Sequence, residues 1–138
     1  MAHLHRAVAT LRIGGDSLIP SEVSALLGAE PTLARIKGQE ILSKSGNTRI
    51  AKAGQWHLHA TDTEPENLDA QVAEILGKLT SDLSVWVDLS NRFKMDLFCG
   101  WFMNESNEGV EITPNTLNQL GERGIKLGID IYAPDTIA

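Results

Sequence analysis

Two histidines, His57 and His59, stand two positions apart in an alternating segment and are the side chains best suited to chemistry. Residues two apart in a strand share a face, so these imidazoles could chelate a metal ion or act as a general base. Asp96 or Asp130 would then supply a third ligand or orient a histidine, and Arg12 would hold an anion. Because no third ligand stands close in sequence, we predict that the protein binds no metal and no other cofactor.

Alternation in the predicted strands places these groups, together with aromatic residues, on the outward face of a sheet. We call this surface the open face. A surface that mixes aromatics, imidazoles, carboxylates and a guanidinium is typical of a ligand site or a partner surface. The alternative is that these positions are solvated or lie within a dimer. The open-face residues are Arg12, His57, His59, Asp96, Phe98, Phe102, Asp130 and Tyr132.

A second candidate is a basic stretch rich in Gly and Ser, in which Glu40 is the acidic residue. It could hold a phosphate or an acidic partner, or it could be a solvated loop. Its basic residues are Arg35, Lys37, Lys44, Arg49 and Lys52.

Familiar catalytic and nucleotide-binding motifs are absent from the sequence. It contains no Gly-x-x-x-x-Gly-Lys-Ser/Thr, no Gly-x-Gly-x-x-Gly and no Gly-x-Ser-x-Gly. Cys99 is the one cysteine, and its inward position predicts a buried, reduced thiol instead of a nucleophile. His3 and His5 form another spaced pair, but a chain terminus is a poor place for a metal site.

The elements that must position these residues follow from periodicity and from helix-boundary signals. Thr113 and Pro114 give the clearest helix start, and Gly124 ends that helix. Between residues 29 and 53 we predict mostly loop, with a short irregular strand within 34–42. The predicted strands are 6–13, 55–60, 93–103, 109–112 and 125–132, with 93–103 and 109–112 forming a hairpin; the predicted helices are 20–27, 65–79, a further turn or helix over 83–89, and the helix from Pro114.

Each predicted strand alternates, so one sheet face is covered by helices and the other is more open. We predict one α+β domain over residues 1–138, with a mostly antiparallel sheet, helices packed on one face and a ferredoxin-like arrangement with additions. Trp56 and Trp101 would fill the core. The remaining inward predictions concern Leu117, Leu120, Ile125, Leu127, Ile129 and Ile131.

Composition narrows the class of protein further. The 138 residues include 18 acidic and 12 basic side chains, for a net charge of −6. This excludes a globally basic nucleic-acid binder, and 42% hydrophobic residues exclude a disordered chain. No apolar run is long enough to span a bilayer. We therefore predict a cytoplasmic protein with neither a nucleic-acid nor a membrane partner.

Several short motifs, taken in order, resemble a known group. They are Leu11-Arg12-Ile13-Gly14-Gly15, Glu30-Pro31-Thr32, Ile36-Lys37-Gly38, Gly54-Gln55-Trp56, Cys99-Gly100-Trp101 and Leu127-Gly128-Ile129-Asp130-Ile131-Tyr132. With them the sequence resembles domain-of-unknown-function family 4279, a mostly bacterial group of small proteins. The resemblance covers nearly the whole chain. It implies a shared fold and transfers no catalytic residues.

Two functions remain open at this point. The first is a non-enzymatic ligand- or protein-binding domain, for example of an immunity or antitoxin type, which self-associates through a sheet face or edge. It rests on a complete globular pattern without a catalytic motif. The second is a small enzyme or metal-binding protein that uses His57 or His59 with Asp96 or Asp130. The second requires these side chains to converge in one concavity.

Overall fold

The computed structural model describes residues 6–134, so the pair His3 and His5 lies outside the described residues. No helix in this range has the length and apolar character needed to cross a membrane. The elements in chain order are β1 (Arg6–Gly15), α1 (Pro20–Leu27), β2 (Leu33–Arg35), β3 (Glu40–Leu42), β4 (Thr48–Ile50), β5 (Gly54–His59), α2 (Leu68–Gly77), α3 (Leu83–Arg92), β6 (Lys94–Phe102), α4 (Pro114–Glu122) and β7 (Lys126–Tyr132).

The main sheet has five strands in the order β2-β5-β1-β6-β7. The central strand β1 runs antiparallel to β5 and β6, and β2 runs antiparallel to β5. Strands β1, β2, β5 and β6 therefore follow the β-α-β-β-α-β plan of a ferredoxin-like fold, with α1 in the first crossover and α2 and α3 in the second. The predicted α+β class and ferredoxin-like arrangement are confirmed.

Two additions extend this plan. Strands β3 and β4 form a separate hairpin between β2 and β5, and α4 leads into β7, which pairs with β6 in parallel. The predicted hairpin of 93–103 with 109–112 is wrong, because residues 109–112 form no strand. Their apolar residues Val110 and Ile112 are half-buried and pack against the core from a loop. The crossover through α4 supplies the connection that parallel neighbours require.

The segment 29–53 contains more strand than predicted. β2 joins the main sheet, with Leu33 opposite His57, while β4 occupies residues that were predicted as loop. All three residues of β4 are exposed, so the strand buries no face and carries no apolar alternation. Gly46 has a φ of 87°, which an L side chain rarely adopts, and it makes the tight β3–β4 turn possible.

Helix α1 has the predicted bounds, and the predicted start of α4 is also confirmed. The side chain of Thr113 accepts a hydrogen bond from the Thr116 amide, and Pro114 is the first helical residue. The helix predicted over 65–79 is shorter, since Asn67 caps α2 by accepting from the Ala70 amide. A second helix, α3, follows and is capped by Asp82.

The core lies between the helices and the inward residues of β1, β5 and β6. Trp56 is fully buried, and its indole N–H donates to Ser24 Oγ on α1 at 3.0 Å. Trp101 is also buried, so the prediction that both tryptophans fill the core is confirmed. The inward sheet residues of the core are Ala7, Ala9, Leu11, Ile13, Trp56, Leu58, Met95, Leu97, Cys99 and Trp101.

Several residues of α4 and β7 that were predicted to face the core are exposed. Ile125 and Leu120 are buried, but Leu117, Ile129 and Ile131 are 49%, 39% and 57% exposed. β7 is an edge strand, and only α4 among the helices makes more than slight contact with it. The alternation therefore identified the face of Ile129 and Ile131 correctly but could not show that this part of the face is left uncovered.

Cys99 is a free thiol with no exposed surface. Burial raises the pKa of Cys99 to about 12, and the nearby carboxylates of Asp96 and Glu66 act in the same direction. We expect the native protein to react with a soluble thiol reagent at least about a thousandfold more slowly than a free cysteine does. Mass spectrometry after iodoacetamide treatment, with and without urea, measures this. Rapid labelling of the folded chain would contradict the buried position.

Candidate functional site

The open face is the side of the main sheet opposite the helices. The strand registers place all eight predicted residues on it: those of β1, β5 and β6 alternate with core residues, and Asp130 and Tyr132 pair with the open-face positions Gly100 and Phe102 of β6. One row crosses all five strands near one end of the sheet. Its residues, from β2 to β7, are Leu33, His57, Arg12, Asp96 and Lys126.

A depression of about 520 Å³ lies beside this row. In the next row, Gly14 stands between Gln55 on β5 and Lys94 on β6. Gly14 has no side chain, whereas the residues around it do. Their side chains border a space above Gly14. We call this space the basic pocket. It is lined by Arg12, Ile13, Gly14, Gln55, His57, Lys94, Met95, Asp96 and Lys126.

Arg12 and Asp96 form a bidentate ion pair in this pocket. Arg12 Nε lies 2.8 Å from Asp96 Oδ1, and Nη2 lies 2.6 Å from Oδ2. The guanidinium also stacks on the ring of Phe98, 4.5 Å from its centroid. These contacts hold Arg12 in one orientation, and they engage both oxygens of Asp96.

His57 stands on the other side of Arg12, and no carboxylate of residues 6–134 forms a hydrogen bond or ion pair with it. Its partial burial lowers the pKa of the imidazole, and the positive charge of Arg12 lowers it further. His57 is therefore neutral near pH 7. In that state it can donate one hydrogen bond and accept another without adding charge to the pocket.

The charges around the basic pocket favour an anion. Arg12, Lys94 and Lys126 contribute three positive charges, and Asp96 contributes one negative charge. The whole chain, by contrast, carries a net charge of −6. A concave site with an excess of one sign concentrates ions of the opposite sign. Carboxylate and phosphate groups match the donors available here.

His59 lies one row further from Gly14 than His57 does, and it does not line the basic pocket. Its Nδ1 is 2.7 Å from Thr10 Oγ1. Within residues 6–134, no group of three or more His, Cys, Asp or Glu side chains is arranged to hold a metal ion. His57 and His59 share a face, as predicted, but the structure brings neither Asp96 nor Asp130 to them as a third ligand.

Asp130 cannot assist His57. It lies on β7 opposite Gly100, whereas His57 lies on β5, so two strands separate them. Three strand spacings amount to roughly 14 Å across the sheet. Asp96 is closer, but its oxygens are bound to Arg12. The geometry thus brings together His57, Arg12 and Asp96 without forming a histidine–carboxylate pair.

The far end of the open face is aromatic. Phe102 and Tyr132 stack with centroids 4.7 Å apart, and Arg6 lies 4.3 Å over the Phe102 ring. Gly100 leaves room for this cluster, since a Cβ there would lie 2.9 Å from Val8. A hydrogen bond to Asp130 raises the pKa of Tyr132. This end is separate from the basic pocket and contributes none of its lining residues.

Comparison with protein families gives a match over residues 3–134. The matching family is described as Domain of unknown function (DUF4279). The chain belongs to this family. The resemblance noted from the short motifs is therefore confirmed. No curated protein and no solved structure matches this chain.

The basic stretch of this DUF4279 domain does not form a single site. Arg35 lies on β2 opposite Gln55, close enough to His57 to depress its pKa. Lys37 instead pairs with Asp16 at 3.2 Å. The remaining three residues, Lys44, Arg49 and Lys52, are exposed and line none of the basic pocket.

Sequence reasoning missed six residues that line the DUF4279 pocket: Ile13, Gly14, Gln55, Lys94, Met95 and Lys126. Alternation does place Lys94 and Lys126 on the outward face, so part of the signal was present. What the sequence lacks is the strand order that sets Lys94 and Lys126 beside Arg12. The predicted strand 6–13 stops before Gly14, whereas β1 continues through Gly15.

Proposed function

We propose that this DUF4279 domain is a non-enzymatic ligand-binding domain that takes a small anion in the basic pocket. The observation that carries the proposal is the ring of Arg12, Lys94 and Lys126 around a side-chain-free floor at Gly14. The ligand class is a carboxylate or phosphate. Asp96 already holds the side chain of Arg12 in one orientation. A bound anion would therefore interact with the positive charge of Arg12 without the entropic cost of ordering that side chain.

The same contacts argue against catalysis. In the described part of the chain no carboxylate orients His57, and both oxygens of Asp96 are bound to Arg12. Cys99 is buried on the opposite face of the sheet and lacks thiolate character. A binding role needs none of these groups to react. The immunity- or antitoxin-like role, a protein partner and a cytoplasmic location remain predictions.

Titration with inorganic phosphate and with succinate, followed by NMR and calorimetry, tests the proposal. We expect Lys94→Glu to weaken binding at least tenfold, because it reverses one of three cationic charges. Gly14→Leu should abolish binding, since its side chain would fill the pocket floor. A bound anion should also raise the pKa of His57, because a nearby negative charge favours the imidazolium.

Lys52→Glu is the matched control, since Lys52 is exposed and lies outside the pocket. It makes the same change in net charge as Lys94→Glu. An equal loss of affinity in both variants would show nonspecific attraction and overturn the proposal. Absence of binding by either probe at millimolar concentration would overturn it as well.

A further inference from the structure

The outer edge of β7 is the longer of the two outer edges of the main sheet. The Met103 amide donates to the Tyr132 carbonyl, so Tyr132 directs its backbone groups towards β6. Backbone direction alternates along a strand. Leu127, Ile129 and Ile131 therefore direct their N–H and C=O groups away from the sheet. No hydrogen bond from residues 6–134 reaches these groups on the outer side.

Three large apolar side chains of β7, those of Ile129, Ile131 and Tyr132, are exposed. Ile129 and Ile131 leave much of their surface open on the helix side. Exposed edges invite pairing with another strand, and charged side chains usually oppose this. The other edge strand, β2, has only three residues, so it offers a much shorter ladder. The features of β7 point to a partner strand.

We propose that β7 pairs antiparallel with β7 of a second copy of this chain, about a two-fold axis at Gly128. In this register Lys126 of each copy lies opposite Asp130 of the other. Leu127 likewise lies opposite Ile129, and their outward backbone groups exchange hydrogen bonds. The order Lys-Leu-Gly-Ile-Asp is symmetric about its glycine in residue type but carries opposite charges at its two ends. The pairing thus matches opposite charges on one face and apolar residues on the other.

Neighbouring registers lack this match. An axis at Lys126 or Asp130 places like charges directly opposite each other, which is unfavourable. An axis at Leu127 or Ile129 leaves the charges of Lys126 and Asp130 without opposite partners. An axis between two residues would set outward backbone groups against inward ones and make no ladder. Charge complementarity therefore selects the axis at Gly128.

The dimer does not depend on anion binding, although Lys126 also lines the basic pocket. The cross-linking test therefore uses positions outside the pocket. Gly128→Cys places two thiols across the axis, where directly opposed Cα atoms lie about 4.5 Å apart in a non-hydrogen-bonded pair. That spacing permits a disulfide. A Cβ at Gly128 meets nothing within 4 Å, so the fold accepts it.

We expect oxidised Gly128→Cys to run as a covalent dimer on a nonreducing gel, forming at least tenfold faster than with Ile131→Cys. Ile131 is the matched control, because it lies on the same strand but away from the axis. The native thiol, Cys99, is buried and does not interfere. Equal cross-linking of both variants would overturn the proposed register.

Sedimentation gives the second measurement. The native chain should have twice its monomer mass of 15.0 kDa, and Asp130→Lys should shift it to the monomer. The double variant Lys126→Asp with Asp130→Lys should restore the dimer by exchanging the charges. A native chain that is monomeric throughout the micromolar range, or a double variant without recovery, would overturn the proposal. Phosphate binding is scored separately, so each proposal can fail alone.

Discussion

Gly54→Ala should destabilise the protein by about 3 kcal/mol or more, whereas Gly14→Ala should change stability by no more than about 0.5 kcal/mol. A Cβ at Gly54 would collide with the carbonyl oxygen of Leu18 and lie 3.0 Å from that of Gly15. These are backbone atoms, which cannot rotate away as a flexible side chain can. At Gly14 the nearest atom, the Gly54 carbonyl oxygen, is 3.6 Å away, an ordinary contact.

Urea denaturation followed by circular dichroism measures both changes. For a domain of this length, the Gly54 variant should also melt roughly 10 °C lower. The two glycines lie in adjoining positions where β1 meets β5, so Gly14→Ala controls for added volume near the same strand ends. Equal stabilities of the two variants would contradict the close approach of residues 15–18 to β5.

Trp56→Ala should cost about 3–5 kcal/mol, the range for removing a large buried aromatic side chain. Trp56 is fully buried and joins β5 to α1 through its hydrogen bond to Ser24. Its neighbours Gln55 and His57 face the basic pocket, so the tryptophan anchors the strand that presents them. We therefore expect loss of anion binding together with loss of stability.

Leu117→Ala is the control for Trp56→Ala, because Leu117 is half exposed on α4 and its truncation should cost less than about 1 kcal/mol. Trp56→Phe guards against complete unfolding of the alanine variant. It keeps most of the apolar volume but loses the Ser24 bond, at a cost of about 1–2 kcal/mol. A Trp56→Ala variant as stable as Leu117→Ala would contradict the core packing.

Local patterns alone predicted much of the fold. The predicted helix over 20–27 matched α1, which begins at Pro20 and is followed by the left-handed Gly28, and Thr113 with Pro114 located the start of α4. These signals are local, since a cap or a proline acts on the next turn of its own helix. Strand β4 was not predicted, because its side chains are all exposed and its sequence therefore needs no apolar alternation.

Alternation also predicted which residues share the open face, since successive side chains in a strand point to opposite sides. It could not tell which of them meet. His57 and Arg12 are neighbours because β5 pairs with β1, while Asp130 is remote because β6 and β1 lie between β7 and β5. Strand order depends on long-range pairing, and no single strand carries that information.

The sequence by itself therefore determined the fold class, the bounds of α1, the start of α4 and the faces of the strands, because propensity and periodicity act within a few residues. Only the tertiary structure decided that Gly14 is a pocket floor surrounded by Arg12, Lys94 and Lys126. Only it decided that Ile129 and Ile131 are left uncovered at an edge. Both outcomes depend on which strands become neighbours and on how far the helices extend over the sheet.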